Sequence, residues 1–173
     1  MKHRLLPLVL ACTTSLALAQ HKHVHGEGQL DVAIDAGRIE LILELPLDAA
    51  VGFERPPRNE KEKTALAAAA AALDAVPFLP AAAARCALET KHVHVPFLGG
   101  DDRRDRHAHE GETHHADIEA HYGFRCAQPA ALKSVETTLF QSFKRLYRLE
   151  VQRNGPAGQG KHRLTPKVPV LSW

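Results

Sequence analysis

The longest regular signal in the chain is an alternation of apolar and polar residues. In 29–36 (QLDVAIDA), Leu30, Val32 and Ile34 share one side, and in 38–45 (RIELILEL), Ile39, Leu41, Leu43 and Leu45 do. Successive side chains of a strand point to opposite faces, so each run predicts a half-buried β-strand. The Asp-Ala-Gly step between them is short enough to make a β-hairpin. Pro46 ends the second strand, and 51–58 (VGFERPPR) reads as loop. The period then changes. Residues 59–75 (NEKEKTALAAAAAALDA) offer Asn59 as N-cap, Glu60 and Glu62 in the electropositive first turn, and Leu66, Ala69, Ala70 and Leu73 at helical spacing. The alanines give a small-residue face that can lie close on a sheet, and VPFLP (76–80) breaks the helix.

Residues 86–95 (CALETKHVHV) predict a third strand. A fourth runs through 114–126 (HHADIEAHYGFRC), with Ala116, Ile118, Ala120, Tyr122, Phe124 and Cys126 on one side and His115, Asp117, Glu119 and His121 on the other. Between these strands, Asp101 to His115 contains no large hydrophobe and cannot bury a face, which predicts an exposed, flexible loop at about 99–115. Pro129 opens a helical turn (PAALKS), and Val135 to Leu139 is extended. Phe140, Phe143 and Leu146 fit one face of a second short helix, and Tyr147, Leu149 and Val151 alternate in a strand. NGPAGQG reads as loop, and HRLTPKVPVLSW as a last strand pushed to an edge by its prolines. The expected fold is α+β: a single domain with a mostly antiparallel β-sheet, one longer Ala-rich helix and short helices packed on it.

The first 19 residues fall outside that pattern. Lys2, His3 and Arg4 make a basic start, an apolar stretch too short to span a membrane follows, and Ala17-Leu18-Ala19 is a small-x-small cleavage motif. The expectation is a signal peptide over 1–19, cleaved between Ala19 and Gln20, and a single domain over 20–173 that does not insert in a membrane. Acylation at Cys12 is a weaker alternative, because it leaves a very short apolar core. Of 22 basic and 20 acidic residues, the leader takes Lys2 and Arg4 and no acid, so the mature chain is balanced at 20 of each. With no basic stripe and few aromatics, nucleic acid is not an expected partner. Export leaves Cys86 and Cys126. An even count in an oxidising compartment is most simply a disulfide, and the rival reading as thiolate metal ligands lacks a C-x-x-C spacing.

Candidate chemistry lies in the histidines. Of twelve, His3 is in the leader, and ten of the remaining eleven cluster: His21, His23 and His25; His92 and His94; His107, His109, His114 and His115; and His121. His162 stands alone and reads as an ordinary edge-strand residue. Imidazole is the commonest zinc ligand and suits copper and nickel too. Residues two apart in extended chain lie roughly 6.5–7 Å apart on one side, so each H-x-H unit can turn two rings toward one ion. Asp117 and Glu119 join the candidates because histidines flank them. His92 and His94 share strand parity with Leu88, so partial burial in the core is the competing reading there.

These blocks permit a comparison. HVHGEGQLDVAID, VGFE followed by a charged helix, the His-rich insertion, HADIEAHYGFRC and PAALKSVETTLFQSF, in that order, resemble the ZrgA-like family of zinc-regulated periplasmic proteins of Gram-negative bacteria. The resemblance covers nearly all of the mature chain. It implies a periplasmic zinc-binding protein, with Zn2+ as its ligand, that assists high-affinity zinc uptake. Its partner would be the binding protein or membrane permease of an ABC-type importer. Carried over residue by residue, the family's histidine-led opening falls on His21, His23 and His25, its His/Asp-rich insertion on Asp101 to His115, and its paired cysteines on Cys86 and Cys126. The family pattern does not require a histidine at position 121, which sets His121 apart. Arg103, Arg104 and Arg106 in the insertion repel a cation until nearby acids screen them.

Two rival functions follow from the same residues. In copper or nickel handling, cleavage after Gln20 would make His21 the N-terminal residue, and its amine with His23 would offer a tetragonal nitrogen site. In a zinc hydrolase, an H-x-H unit plus a third histidine would hold an open site with Glu119 as general base. The absence of H-E-x-x-H and G-x-S-x-G, and ligands placed on a terminus and a loop, argue against an enzyme.

Overall fold

The structure, a computed structural model, describes residues 24–98 and 116–173. Its frame is the predicted hairpin. β1 (Glu27–Asp35) and β2 (Arg38–Pro46) pair antiparallel across Ala36 and Gly37, whose φ angles of 43° and 82° are those of a two-residue turn that matches strand twist. The register sets Leu30 opposite Leu43, Val32 opposite Leu41 and Ile34 opposite Ile39, so both apolar sets land on one face.

The chain continues through α1 (Leu47–Val51), α2 (Glu60–Asp74), β3 (Phe78–Pro80), β4 (Cys86–His94), β5 (Asp117–Cys126), β6 (Ser134–Thr137), α3 (Leu139–Ser142), β7 (Arg148–Gly155), β8 (Gly158–Leu164) and β9 (Val170–Ser172). Six strands form one sheet in the order β4-β5-β2-β1-β7-β8, antiparallel except for the β1–β7 pair. A second sheet has the order β3-β6-β9. The fold is α+β, with the Ala-rich helix where the sequence places it: Asn59 accepts a hydrogen bond from the Glu62 N–H (3.0 Å), and Leu66, Ala69 and Leu73 are buried.

Tyr122 joins the two sheets and the helix. It is buried in β5, its hydroxyl donates to the carbonyl of Leu73 in α2 (2.9 Å), and its ring meets Phe78 of β3 edge-on at 5.4 Å. Burial, with Asp74 nearby, pushes the phenol pKa up and keeps the hydroxyl a donor. Around it one core gathers the inward residues of β1, β2, β5 and β7 with Leu139, Phe140, Phe143 and Leu146. The opposite face of the large sheet is polar.

Several local expectations are corrected. VPFLP does end the helix, but Phe78–Pro80 then pairs with β6 as a strand of the second sheet. The short helix over Phe140 to Leu146 is a single turn, Leu139–Ser142, although Phe140, Phe143 and Leu146 are all buried. NGPAGQG is a tight β7–β8 hairpin turning at Pro156 and Ala157. The last predicted strand is two: Pro166 and Pro169 cannot donate to a ladder, and between them the chain crosses from β8 to β9 in the other sheet. His162 lies on edge strand β8, as expected.

Cys86 and Cys126 are opposed in the β4–β5 register and joined by a disulfide across a sequence separation of 40. The pairing expected of Cys86 and Cys126 is therefore present. Replacing both by serine should lower stability by about 2–4 kcal/mol, chiefly by freeing the unfolded chain. Urea unfolding of the variant beside the oxidised protein measures this, and equal midpoints would show the bridge to be energetically idle.

Candidate metal centre

The β1–β2 pairing ends with Gln29 opposite Glu44, and just beyond the paired ends the chain carries His25 on one side and Asp48 on the other. The hairpin thereby brings a residue just before β1 next to one in the first turn of α1. His25 Nδ1 lies 2.6 Å from Asp48 Oδ2. The His25 side chain is 83% exposed and that of Asp48 only 16%, and Asp48 Oδ1 is buried without a hydrogen-bond partner. Glu54 completes the group. One ligand atom from each of His25, Asp48 and Glu54 lies within 4.8 Å of the others, and no other such group of three occurs among the described residues.

Neighbouring elements fix this geometry. Gly26 has φ 75°, and a Cβ there would stand 2.6 Å from the Tyr147 ring, so only glycine lets the chain pass at this point. The Tyr147 N–H donates to the Gly26 carbonyl (3.0 Å), and Arg145 Nε donates to the Asp48 carbonyl (3.1 Å). His25, Gly26, Asp48, Arg145 and Tyr147 line a surface depression of about 310 Å³. Glu54 is placed by a clasp. Arg55 grips Glu62 with both terminal nitrogens (2.8 and 2.9 Å), Glu62 also accepts from the Arg58 N–H (2.7 Å), and the Arg55 guanidinium lies over the Phe53 ring at 5.2 Å. The segment before α2 is thus buckled onto the helix start, a variant of the capping box in which the N3 carboxylate reaches back past the cap.

The other described candidates lie on the outward face of the large sheet. His92 is opposite His121, with ring centroids 6.3 Å apart, and His94 is opposite Glu119. All four are exposed, so the reading of His92 and His94 as core residues is corrected. The β4 register slips between Leu88 and Thr90: Leu88 pairs with Phe124 of the inward set, whereas His92 and His94 pair with the outward set. Asp117 is half-buried, opposite Pro46, in a depression of about 280 Å³ shared with Glu27, Asp31, Glu44 and Glu150. His21, His23, His107, His109, His114, His115 and the cleavage pair Ala19 and Gln20 lie outside the described residues.

A family model, ZrgA family zinc uptake protein, matches residues 22–173. The chain belongs to the ZrgA family. No curated protein matches it. Membership gives the chain a role in zinc uptake, and this family is one of uptake proteins, not a known enzyme family. No helix among the described residues is long and apolar enough to cross a membrane.

For a ZrgA family protein, an imidazole between two carboxylates is a fitting donor set, since zinc takes His nitrogen and Asp or Glu oxygen. Of these three residues, sequence reasoning found His25 alone. Asp48 and Glu54 lie outside every histidine cluster, so histidine density along the chain gives no sign of them. The signal the sequence does carry is the acids themselves, Asp48 just after the second strand and Glu54 in VGFE.

The Asp48 hydrogen bond, and next the Asp48 charge, raise the His25 pKa above its ordinary value; desolvation opposes them, and the Glu54 charge adds a smaller upward push. A raised histidine pKa stabilises the metal-free fold below about pH 6.5, and that contribution fades as pH rises through the folded value. Zinc must displace the same proton, so binding here should weaken as pH falls through that raised value. NMR titration of the His25 imidazole should give a midpoint above that of a free histidine, and Asp48→Asn should bring it down.

The Glu62 carboxyl, held first by Arg55 and next by the Arg58 N–H, is lowered to about 2. Its contribution is full above about pH 4.5 and is lost as pH falls toward 2. Urea unfolding at pH 5 and pH 3 should therefore show a smaller pH-dependent loss in Glu62→Gln, which has no such carboxyl to protonate, than in the parent protein.

Proposed function

We propose that the chain is a periplasmic zinc-binding protein that captures zinc through its histidine clusters and passes it to a high-affinity ABC-type importer. The observation that supports this most directly is the convergence of His25, Asp48 and Glu54 in a member of a zinc uptake family. The function is capture without chemistry. One exposed imidazole and two carboxylates leave room for water on the ion, and an ion held that openly loads and leaves quickly, as a donor requires. His21 and His23 precede His25 at two-residue steps, and in extended chain such neighbours can turn toward one ion. The histidines of 107–115 would add further, weaker capture. The leader over 1–19 and the disulfide fit delivery to an oxidising compartment, and the recipient would be the importer's binding protein or its permease.

Calorimetric zinc titration at neutral pH tests this on the purified, tag-free protein, on His25→Ala, and on a variant lacking 101–115. His25→Ala should weaken the tightest site by at least about tenfold, since even an outer-shell partner of a metal ligand costs 10–100-fold when lost. The deletion should lower stoichiometry and leave the tightest site in place. A protein that loses its zinc to a weak chelator, or a His25→Ala variant that titrates like the parent, overturns the reading.

A further inference from the structure

The outward face of β4, β5 and β2 carries metal-ligating chemistry that the His25 group does not use. His92 stands directly opposite His121, and His94 opposite Glu119; across the other edge of β5, Glu119 stands opposite Glu44. Directly opposed strand residues have Cβ atoms about 4.5–5.5 Å apart. The His92 and His121 rings lie 6.3 Å apart between centroids, nearly perpendicular at 86°. Two imidazoles on one tetrahedral zinc, with Zn–N bonds of about 2.0–2.1 Å, have centroids about 5–6 Å apart. As they stand, the ligand atoms of His92, His121 and Glu119 do not all lie within 4.8 Å of one another, and rotation of these exposed side chains about their χ angles is what would bring them onto one ion. Glu119 is two residues from His121 on the same face and can supply a third ligand, with water as the fourth.

Other observations favour a cation here. Glu44 and Glu119 are like charges directly opposed, an arrangement that destabilises a sheet unless something positive lies between or beside them. Among the described residues neither is paired with a cation. The three basic residues of these strands are engaged elsewhere: Arg38 and Arg125 both hold Glu89 (3.0 and 3.1 Å), and Lys91 projects to the other face, where it pairs with Asp74 at 2.8 Å. The register slip after Leu88 is what brings His92 and His94 to the face of His121 and Glu119, a re-aiming of side chains that bulges commonly perform.

We propose that His92, His121 and Glu119 form a second zinc site, solvent-open and separate from that of His25, with His94 and Glu44 flanking it. This rests on the reading of the chain as a zinc binder. Because every ligand is exposed on a sheet face, the site exchanges its ion with solvent directly.

The test follows the imidazole C–H resonances of the full, tag-free protein as zinc sulfate is added. Signals of His92 and His121 should move together with one dissociation constant. In His92→Gln the His121 response should weaken by at least about tenfold, His121→Gln should do the same to His92, and His25→Ala should leave both unchanged. If His25 responds while His92 and His121 stay still, this proposal falls alone. A wild-type His121 response in His92→Gln overturns it too, because the two rings then bind independently. If no imidazole responds, the zinc-binding reading falls with it.

Discussion

The register of β5 between its two neighbours is the constraint on which the rest of the molecule depends. A strand buried on one face divides its residues into two sets, and a slip of one position would exchange them. Here the inward set runs Ile118, Ala120, Tyr122, Phe124 and Cys126. Two of its members anchor the register from opposite directions, Tyr122 by its hydrogen bond to the Leu73 carbonyl and Cys126 by its bond to Cys86. With those fixed, Asp117, Glu119 and His121 have nowhere to go but outward. The same residues that hold the helix against the sheet therefore decide which polar groups meet on its far side.

The two candidate zinc positions differ in how the fold prepares them. The His25 group is assembled from chain ends that a hairpin brings together, and each member leans on something else: Asp48 on α1 and Arg145, Glu54 on the Arg55–Glu62 clasp. A half-buried carboxylate with one oxygen lacking a hydrogen bond is costly to keep without a cation, and that cost favours occupancy. The strand-face group has no such support. Its residues are held only by pairing, so their spacing is regular and their side chains must order when an ion arrives.

What was legible in the sequence follows the same physics. The β1–β2 hairpin, α2 and the alternation of β5 were readable because each is specified by a local period and a local signal: Asp-Ala-Gly, Asn59, the apolar set from Ile118 to Cys126. The cysteine pairing was readable from the even count that remains once the expected leader is set aside. The second sheet was not, since β3, β6 and β9 are three or four residues long and owe their structure to contacts made far along the chain. Nor was the fate of His92 and His94. Parity counted from Leu88 points them inward, and the slip that turns them outward leaves no mark in a pattern of apolar and polar residues.

That failure bears on how histidine clusters should be read. Density along the chain says how many imidazoles a segment can offer, but an ion is held by donors that converge, and convergence is set by register. His25 gains its carboxylate partners from residues 23 and 29 positions away, and His92 gains an imidazole from the neighbouring strand. In both cases the H-x-H spacing that draws attention in the sequence contributes one ligand among the described residues, and strand pairing or a turn supplies the rest. The part of the chain richest in histidine need not be the part that binds most tightly. A group whose ligands are already positioned loses less conformational freedom on binding than a segment that must order all of its ligands at once.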